Sequence, residues 1–134
     1  MRHRCRVHKL SRPADQRKAL IRTLLTSLFT YDEILTTMGR AKAMKAEADR
    51  IVTWAKQGDL HAMRQVLRHI YNQKTGHLIE DNEREIPETV LRRIFRTVGP
   101  RYTTRTGGYT RIIPAPPRRG DAAPMALVQL VEAL

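Results

Sequence analysis

Apolar residues recur at helical spacing in three stretches of the first half of the chain. Leucine and isoleucine follow Pro13 at three- or four-residue intervals and predict a helix over 13–30, with Ser11 close by as a possible cap. A second stripe ends at Gly58, and a third begins behind Asp59, whose carboxylate can cap a helix. The stripe positions are Leu20, Ile21, Leu24, Leu25 and Leu28, then Ala41, Met44, Ala48, Ile51, Val52 and Ala55, then Leu60, Met63, Val66, Leu67 and Ile70.

The second half of the chain predicts one more helix and a small sheet. The acid-rich stretch "NQKTGHLIEDNERE" is predicted to be a loop, after which Pro87 opens a fourth helix that Gly99-Pro100 closes. The segments "YTRII" and "MALVQLV" are short, apolar and β-prone and are predicted to be two strands joined by a long loop, while "EILTTM" before Gly39 is predicted to be a short extended piece. The pattern therefore predicts one α+β domain, residues 13–134, with about four helices packed on a small β-sheet and an acidic insert near 74–87.

The charge of the chain is far from balanced. Among 134 residues, nineteen arginines and six lysines face only 13 acids, which gives a net charge of +12 and a pI near 10.8. Residues 1–12 contain no acid and are predicted to form a basic, extended arm, and eight arginines lie between Arg92 and Arg119 without an acid among them. Charge of one sign at this density indicates a polyanionic partner, and guanidinium groups suit phosphate.

Several classes of site and function are not supported by the residues. Cys5 is the only cysteine, so an intramolecular disulfide is impossible, and His3, Cys5 and His8 lie among cations without a second ligand pair. We therefore expect no metal and no other cofactor. No apolar run approaches the roughly 18 residues of a membrane span, and we see neither a catalytic cluster nor a pocket motif for a small-molecule substrate. We expect neither an enzyme nor a membrane protein.

The composition favours RNA over DNA as the partner. Aromatic residues make up only 5% of the chain, and no helix resembles a groove-reading element. Gly107 and Gly108 either form a simple turn or let the backbone approach phosphates closely, and Tyr109 either stacks on a base or packs in the core. These features favour recognition of the shape and backbone of a folded RNA. A DNA-binding nucleoid or regulatory protein is the alternative, and a nucleic-acid enzyme is third.

Longer stretches of the chain are similar to a known family. "KLSRPADQRKALIRTLLTSL", "TTMGRAKAMKAEADRIVTWAKQGDLHAMRQVL" and "PRYTTRTGGYTRI" followed by "RRGDAAPMALVQLVE" resemble the bacterial-type large-subunit ribosomal protein of the seventeenth family, in order and over nearly the whole chain. The variant "PADQRKAL" looks most like cyanobacterial and plastid members. The acidic insert departs from the family pattern, and we expect it to face solvent or a neighbouring basic protein.

The resemblance implies a structural constituent of the large ribosomal subunit that binds rRNA on the polypeptide-exit side and supports assembly. Its partners would be large-subunit rRNA and neighbouring ribosomal proteins, on ribosomes of a bacterial cytoplasm or of an organelle such as the plastid stroma. The rRNA contacts carried over by the resemblance are Arg2, His3, Arg4, Arg105, Gly107, Gly108, Tyr109, Arg111, Arg118 and Arg119. Charge and position add Arg6, Lys9, Arg12, Arg17 and Arg101.

Overall fold

A computed structural model describes residues 8–132, and the predicted α+β class is confirmed in that part of the chain. A π-helical turn joins two short helices into one continuous helical segment, residues 90–101, which we call the fourth helical segment. The elements in chain order are α1 (Ala14–Tyr31), β1 (Glu33–Thr37), α2 (Met38–Gln57), α3 (Leu60–Leu67), β2 (Lys74–Asp81), β3 (Arg84–Thr89), α4 (Val90–Arg93), the π-helical turn (Ile94–Val98), α5 (Gly99–Arg101), β4 (Thr110–Ala115) and β5 (Met125–Leu130).

Helix α2 forms the centre of the hydrophobic core. All six apolar positions predicted for its stripe are buried, and α1, α3, the fourth helical segment and the sheet pack around it. Alanines repeat every seventh residue along this stripe, at Ala41, Ala48 and Ala55. Small side chains on one face allow neighbouring backbones to approach closely, so α2 serves as the common support for the other elements.

Among the helix ends predicted in the first half of the chain, two are confirmed and one is wrong. The Asp59 side chain accepts a hydrogen bond from the Ala62 backbone N–H (2.8 Å), and Gly58 ends α2 with a φ of 71°. Helix α1 follows Pro13 without a side-chain cap. Ser11 instead sits in a turn with a φ of 51°.

The described part of the arm is not extended. The Arg12 backbone N–H donates to the carbonyl of Lys9 (3.2 Å), and both residues between them have positive φ, as in a type I′ turn. A turn satisfies backbone groups that an extended arm would leave to water. Residues 1–7, where the remaining positions of the predicted arm fall, lie outside the described residues.

The two predicted strands and the extended piece before α2 form one antiparallel sheet in the order β1-β5-β4. Val128 of the central strand pairs with Ile34 on one side and with Ile112 on the other. Alternate residues Ala126 and Val128 are fully buried against the helices. The sheet thus covers one side of α2 and presents its other face to the surroundings.

The acid-rich stretch predicted to be a loop is a β-hairpin. Strands β2 and β3 pair antiparallel, and a two-residue turn at Asn82 and Glu83 joins them with φ angles of 50° and 65°. Asparagine is favoured in such type I′ turns. The prediction failed because most side chains of the hairpin are polar and exposed, whereas the loop signal relied on polarity alone.

The fourth helical segment starts later and ends later than predicted. Pro87 lies within β3, and the helix begins at Val90 after Thr89, whose hydroxyl accepts from the Arg92 N–H. Gly99 and Pro100 continue the helix instead of closing it. A Cβ placed on Gly99 would lie 2.7 Å from the carbonyl oxygen of Ala55, so this glycine marks a close crossing of two helices rather than a helix end.

Candidate nucleic-acid interface

The glycine-containing loop at residues 102–109 is held by α2 at its middle and at its C-terminal end. Lys56 Nζ donates to the carbonyl oxygen of Arg105 (2.5 Å) and to the Tyr109 hydroxyl (3.1 Å). Seven residues earlier, and so on the same face of the helix, Asp49 Oδ1 accepts from the backbone N–H (3.1 Å) and the hydroxyl (2.9 Å) of Thr110. We call Asp49 and Lys56 the α2 clamp. The clamp fixes the glycine loop relative to the core.

Two buried tyrosines form the floor of the glycine loop. The rings of Tyr102 and Tyr109 are 1% and 2% exposed and lie 5.3 Å apart between centroids. The Tyr109 hydroxyl donates to the carbonyl of Arg105 (3.2 Å), and the Tyr102 hydroxyl donates to the carbonyl of Val131. Burial raises the pKa of Tyr102, which keeps this hydroxyl protonated as a donor. Of the two roles that the sequence left open for the Tyr109 ring, its burial selects packing in the core.

The two glycines lie at the exposed tip of this loop. A Cβ at either position would meet nothing within 4 Å, so neither glycine is required by packing inside the protein. Gly108 has a φ of +64°, which other residues rarely adopt, whereas Gly107 is not in that region. The tip therefore offers bare backbone to a partner, which allows a phosphate to approach the amides closely.

Arg105 and Arg111 flank the tip and differ in their surroundings. Arg105 is half-buried, and its Nη1 has no hydrogen-bond partner among residues 8–132. Arg111 is exposed on the outer face of the sheet, where its Nε donates to Gln129 (2.9 Å). Gln129 in turn donates to Glu33 (2.7 Å). Both guanidinium groups border the tip, and within the described residues no acid lies within 4 Å of either one.

Arg101 is bound inside the protein, which the sequence did not indicate. The carboxylate of Asp32, the residue that ends α1 in left-handed conformation, lies 3.4 Å from Arg101 and 3.0 Å from Arg93. The Arg93 Nε also donates to the carbonyl of Phe29 (2.9 Å). Two of the eight arginines in the acid-free run thus join α1 to the fourth helical segment. Arg101 therefore has an internal role, in which it shares the single carboxylate of Asp32 with Arg93.

Arg118 and Arg119 lie together in the connection between β4 and β5 but differ in their pairing. Arg118 forms a bidentate ion pair with Asp121, at 2.7 and 3.0 Å, within a turn closed by backbone hydrogen bonds. The hydrogen bonds from Arg118 hold the pKa of Asp121 down at about 2. Arg119 is exposed and has no acid within 4 Å in the described part of the chain. Arg119 is therefore the cation of this pair that is available to an external anion.

A basic groove extends from the described end of the arm. Its volume is about 1050 Å³, and it lies between α1, α2 and the residues that follow α3. The charged residues that line it are Arg17, Lys18, Arg22, Arg68 and two acids, Asp15 and Glu47, and the exposed Lys9 and Arg12 lie in the segment before α1. Arg2, His3, Arg4 and Arg6 fall outside the described residues. The predicted cations therefore do not form one surface: some lie at the groove and some at the glycine loop, and Arg118 and Arg119 lie at the opposite end of β4 from that loop.

Sequence reasoning missed three residues of these surfaces, Asp49, Lys56 and Arg68. The sequence gives only a weak indication of the α2 clamp. Asp49 and Lys56 are spaced to lie on one helix face, but the residues that they bind are about 50 to 60 positions away in the chain. Lys18 and Arg68 line the groove from separate elements. These residues are close in space because of the way the helices pack, and local sequence patterns do not reveal that packing.

Two other kinds of site are absent from the part of the chain that the structure describes. Within residues 8–132, no helix has the length and apolar character needed to cross a membrane. The same residues contain no group of three His, Cys, Asp or Glu side chains positioned to hold a metal ion.

Comparison with known proteins gives a consistent assignment. The profile of a family described as ribosomal protein L17 matches residues 20–131. The chain is 42% identical over 123 residues to the large ribosomal subunit protein bL17 of Lacticaseibacillus casei strain BL23, covering 92% of this chain and 97% of that protein. It is 41% identical over 124 residues to the bL17 protein of Enterococcus faecalis strain V583, with the same coverage of both chains. With its core, sheet and glycine loop all inside the matched region, the chain belongs to the ribosomal protein L17 family.

Proposed function

We propose that this protein is a structural component of the large ribosomal subunit, which binds large-subunit rRNA through the glycine loop and the basic groove. The observation that carries the proposal is the family match over 20–131, since relatives with more than 40% identity are large-subunit proteins by name. The helical core would hold the two basic surfaces at a fixed separation, so that they contact separate segments of rRNA.

The distribution of acids supports this assignment of the binding surfaces. Five of the 13 acids lie between Glu80 and Glu88, in the hairpin or at its base. Asp32, Asp49 and Asp59 are engaged in internal hydrogen bonds or ion pairs. These eight acids are engaged internally or confined to the hairpin, and within the described residues no carboxylate lies within 4 Å of Arg105 or Arg111, so the glycine loop keeps a positive field that attracts phosphate.

The family match also supports the prediction that the protein is not an enzyme, since the family is one of structural ribosomal proteins. Nothing in the comparisons favours the alternative of a DNA-binding nucleoid or regulatory protein. Neighbouring ribosomal proteins are proposed as further partners, and the side of the polypeptide exit as the location. The relatives described above are bacterial, so a bacterial cytoplasm is the proposed compartment, with the plastid stroma as the alternative.

Sedimentation of native ribosomes in high salt tests the proposal. We expect the full chain to sediment with the large subunit in near-stoichiometric amounts, because the combined affinity of many simultaneous contacts stays high even when salt weakens each phosphate contact. The measurement is quantitative mass spectrometry of gradient fractions, with a known large-subunit protein as the reference. Recovery with DNA, or at the top of the gradient, would contradict the proposal.

The two glycines at the loop tip should respond differently to substitution. Gly107→Ala is expected to leave the free energy of unfolding within about 0.5 kcal/mol of the original, while rRNA affinity falls because the methyl group occupies the space of an approaching phosphate. Gly108→Ala is expected to lower the free energy of unfolding by about 1 kcal/mol, because its φ of +64° is unfavourable for alanine. Thermal denaturation and filter binding measure the two effects. Full rRNA affinity of the Gly107→Ala protein would show that no phosphate approaches the tip.

A further inference from the structure

The β2-β3 hairpin carries charge opposite to that of the rest of the protein. Between Lys74 and Thr89 there are two cations, Lys74 and Arg84, and five acids, which gives a net charge of −3. With a total of +12 for the chain, the remaining residues carry +15. The hairpin is therefore repelled by the same phosphates that attract the glycine loop, and it should point away from rRNA backbone.

One face of the hairpin faces the rest of the protein and contacts it. Ile79 and Ile86 pair across the strands, and Asp81, on the same face, lies 3.8 Å from Arg92 of the fourth helical segment. At the base of the hairpin, the Thr75 hydroxyl donates to the buried carboxylate of Glu88 (3.0 Å). These contacts hold the hairpin in a fixed position on the core.

The opposite face of the hairpin is exposed to solvent, and its residues form an energetically unfavourable surface there. Its two cross-strand pairs are Leu78 with Pro87 and Glu80 with Glu85. Leu78 is 63% exposed, and all three of the other residues are exposed. Directly opposed like charges destabilise a pair of strands, and a two-stranded sheet is only marginally stable by itself. A folded protein gains no stability from this arrangement unless something else covers it.

We propose that this face of the hairpin (Leu78, Glu80, Glu85 and Pro87) is a docking surface for a basic, partly apolar segment of another protein of the large subunit. A cation placed between Glu80 and Glu85 would relieve their repulsion, and an apolar side chain beside it would cover Leu78 and Pro87. An RNA segment does not fit, because its phosphates would face two carboxylates. The inference rests on the proposed function, since it takes the partner from the same subunit.

Photo-crosslinking from position 78 in assembled subunits tests this inference. A photoreactive amino acid would replace Leu78 in the full chain, and large subunits carrying the protein would be purified before irradiation. We expect crosslinks to a peptide rich in lysine or arginine from one other protein. Crosslinks to rRNA, or none above the background of unirradiated subunits, would overturn the inference. Absence of the chain from the subunits would instead overturn the proposed function, so the two failures are distinguishable.

Replacing the two opposed glutamates gives a second test, in which the crosslink yield should fall while the stability of the free protein stays equal or rises. Glu80→Gln with Glu85→Gln is expected to reduce the yield of the crosslink about fivefold to tenfold. The same variant should denature at an equal or higher temperature as a free protein, because the repulsion between the strands is removed. The matched control, Glu83→Gln with Glu132→Gln, removes two exposed acids that lie off this face. Equal crosslink yields in the two variants would show that the charges on the face do not bind the partner.

Discussion

Replacing Arg105 and Arg111 together by glutamine is expected to weaken binding to large-subunit rRNA by about tenfold to a hundredfold, and to reduce the slope of log affinity against log salt by about 1.5 to 2. Each guanidinium that leaves a phosphate no longer releases a condensed counterion on binding, so both the affinity and its salt dependence fall. The measurement is filter binding or fluorescence anisotropy over a series of salt concentrations.

A matched variant separates this effect from a general loss of charge. Arg84→Gln with Arg96→Gln removes the same two charges from the hairpin and from the helix beside it, where Arg96 donates to the carbonyl of Glu80. That pair should change the salt slope little. Equal slopes for the two double variants would contradict the assignment of the glycine loop as the phosphate-binding surface. Glutamine at position 105 also removes a buried Nη1 that has no partner in the described residues, so the double variant should remain folded.

Gly99→Ala is expected to lower the free energy of unfolding by about 1–3 kcal/mol, the range found when extra atoms are forced into a packed core. The new methyl group would lie 2.7 Å from the carbonyl oxygen and 3.0 Å from the carbonyl carbon of Ala55. Both atoms belong to the backbone of α2, so no side-chain rotation can relieve the clash, and the two helices must move apart. Urea denaturation gives the change directly.

The control for this substitution is Gly39→Ala, which is also in a helix but has open space around the position of its Cβ. Alanine there should leave stability unchanged or raise it by up to about 1 kcal/mol, because alanine favours the helix. Ala55→Gly added to Gly99→Ala should not restore stability, since the closest clash is with the carbonyl group and not with the alanine methyl. Similar effects of the two glycine substitutions would mean that the helices do not cross as closely as described.

The parts of the fold that the sequence predicted are those whose side chains divide sharply between inside and outside. Helix α2 is the clearest case, since each apolar position of its stripe is buried. The third stripe was less informative, because Leu60 is 62% exposed although it follows the same spacing. Periodicity locates a helix well, but it does not say how much of the stripe the neighbouring elements will cover.

The errors arise where a residue has two possible physical roles. Pro87 can open a helix or occupy an outer strand, and Gly99 can end a helix or permit a close crossing. In each case the deciding fact is a contact with another element, which is the pairing of Pro87 with Leu78 and the approach of Gly99 to the backbone of Ala55. The polar hairpin was missed for a related reason, because a sheet with one open face contains too few apolar residues to display a strand pattern.

For the candidate interface, the sequence identified the basic residues but not their internal partners. Arg101 and Arg119 look alike in the arginine run, yet one is bound to Asp32 and the other has no acid within 4 Å in residues 8–132. Tyr109 had two possible roles, and its burial selects packing in the core. Counting basic residues in the sequence therefore overestimates the number of cations that are available to an external anion.

The α2 clamp has a consequence for the rate at which the glycine loop binds RNA. Since Asp49 and Lys56 fix the glycine loop before any RNA arrives, the loop is preorganised, and little conformational entropy remains to be lost when a phosphate docks there. Association at this surface should therefore be limited by diffusion and steered by charge, not by a slow ordering step. An early, fast contact of this kind suits a protein that must find its place on a folding RNA before the competing structures of that RNA close.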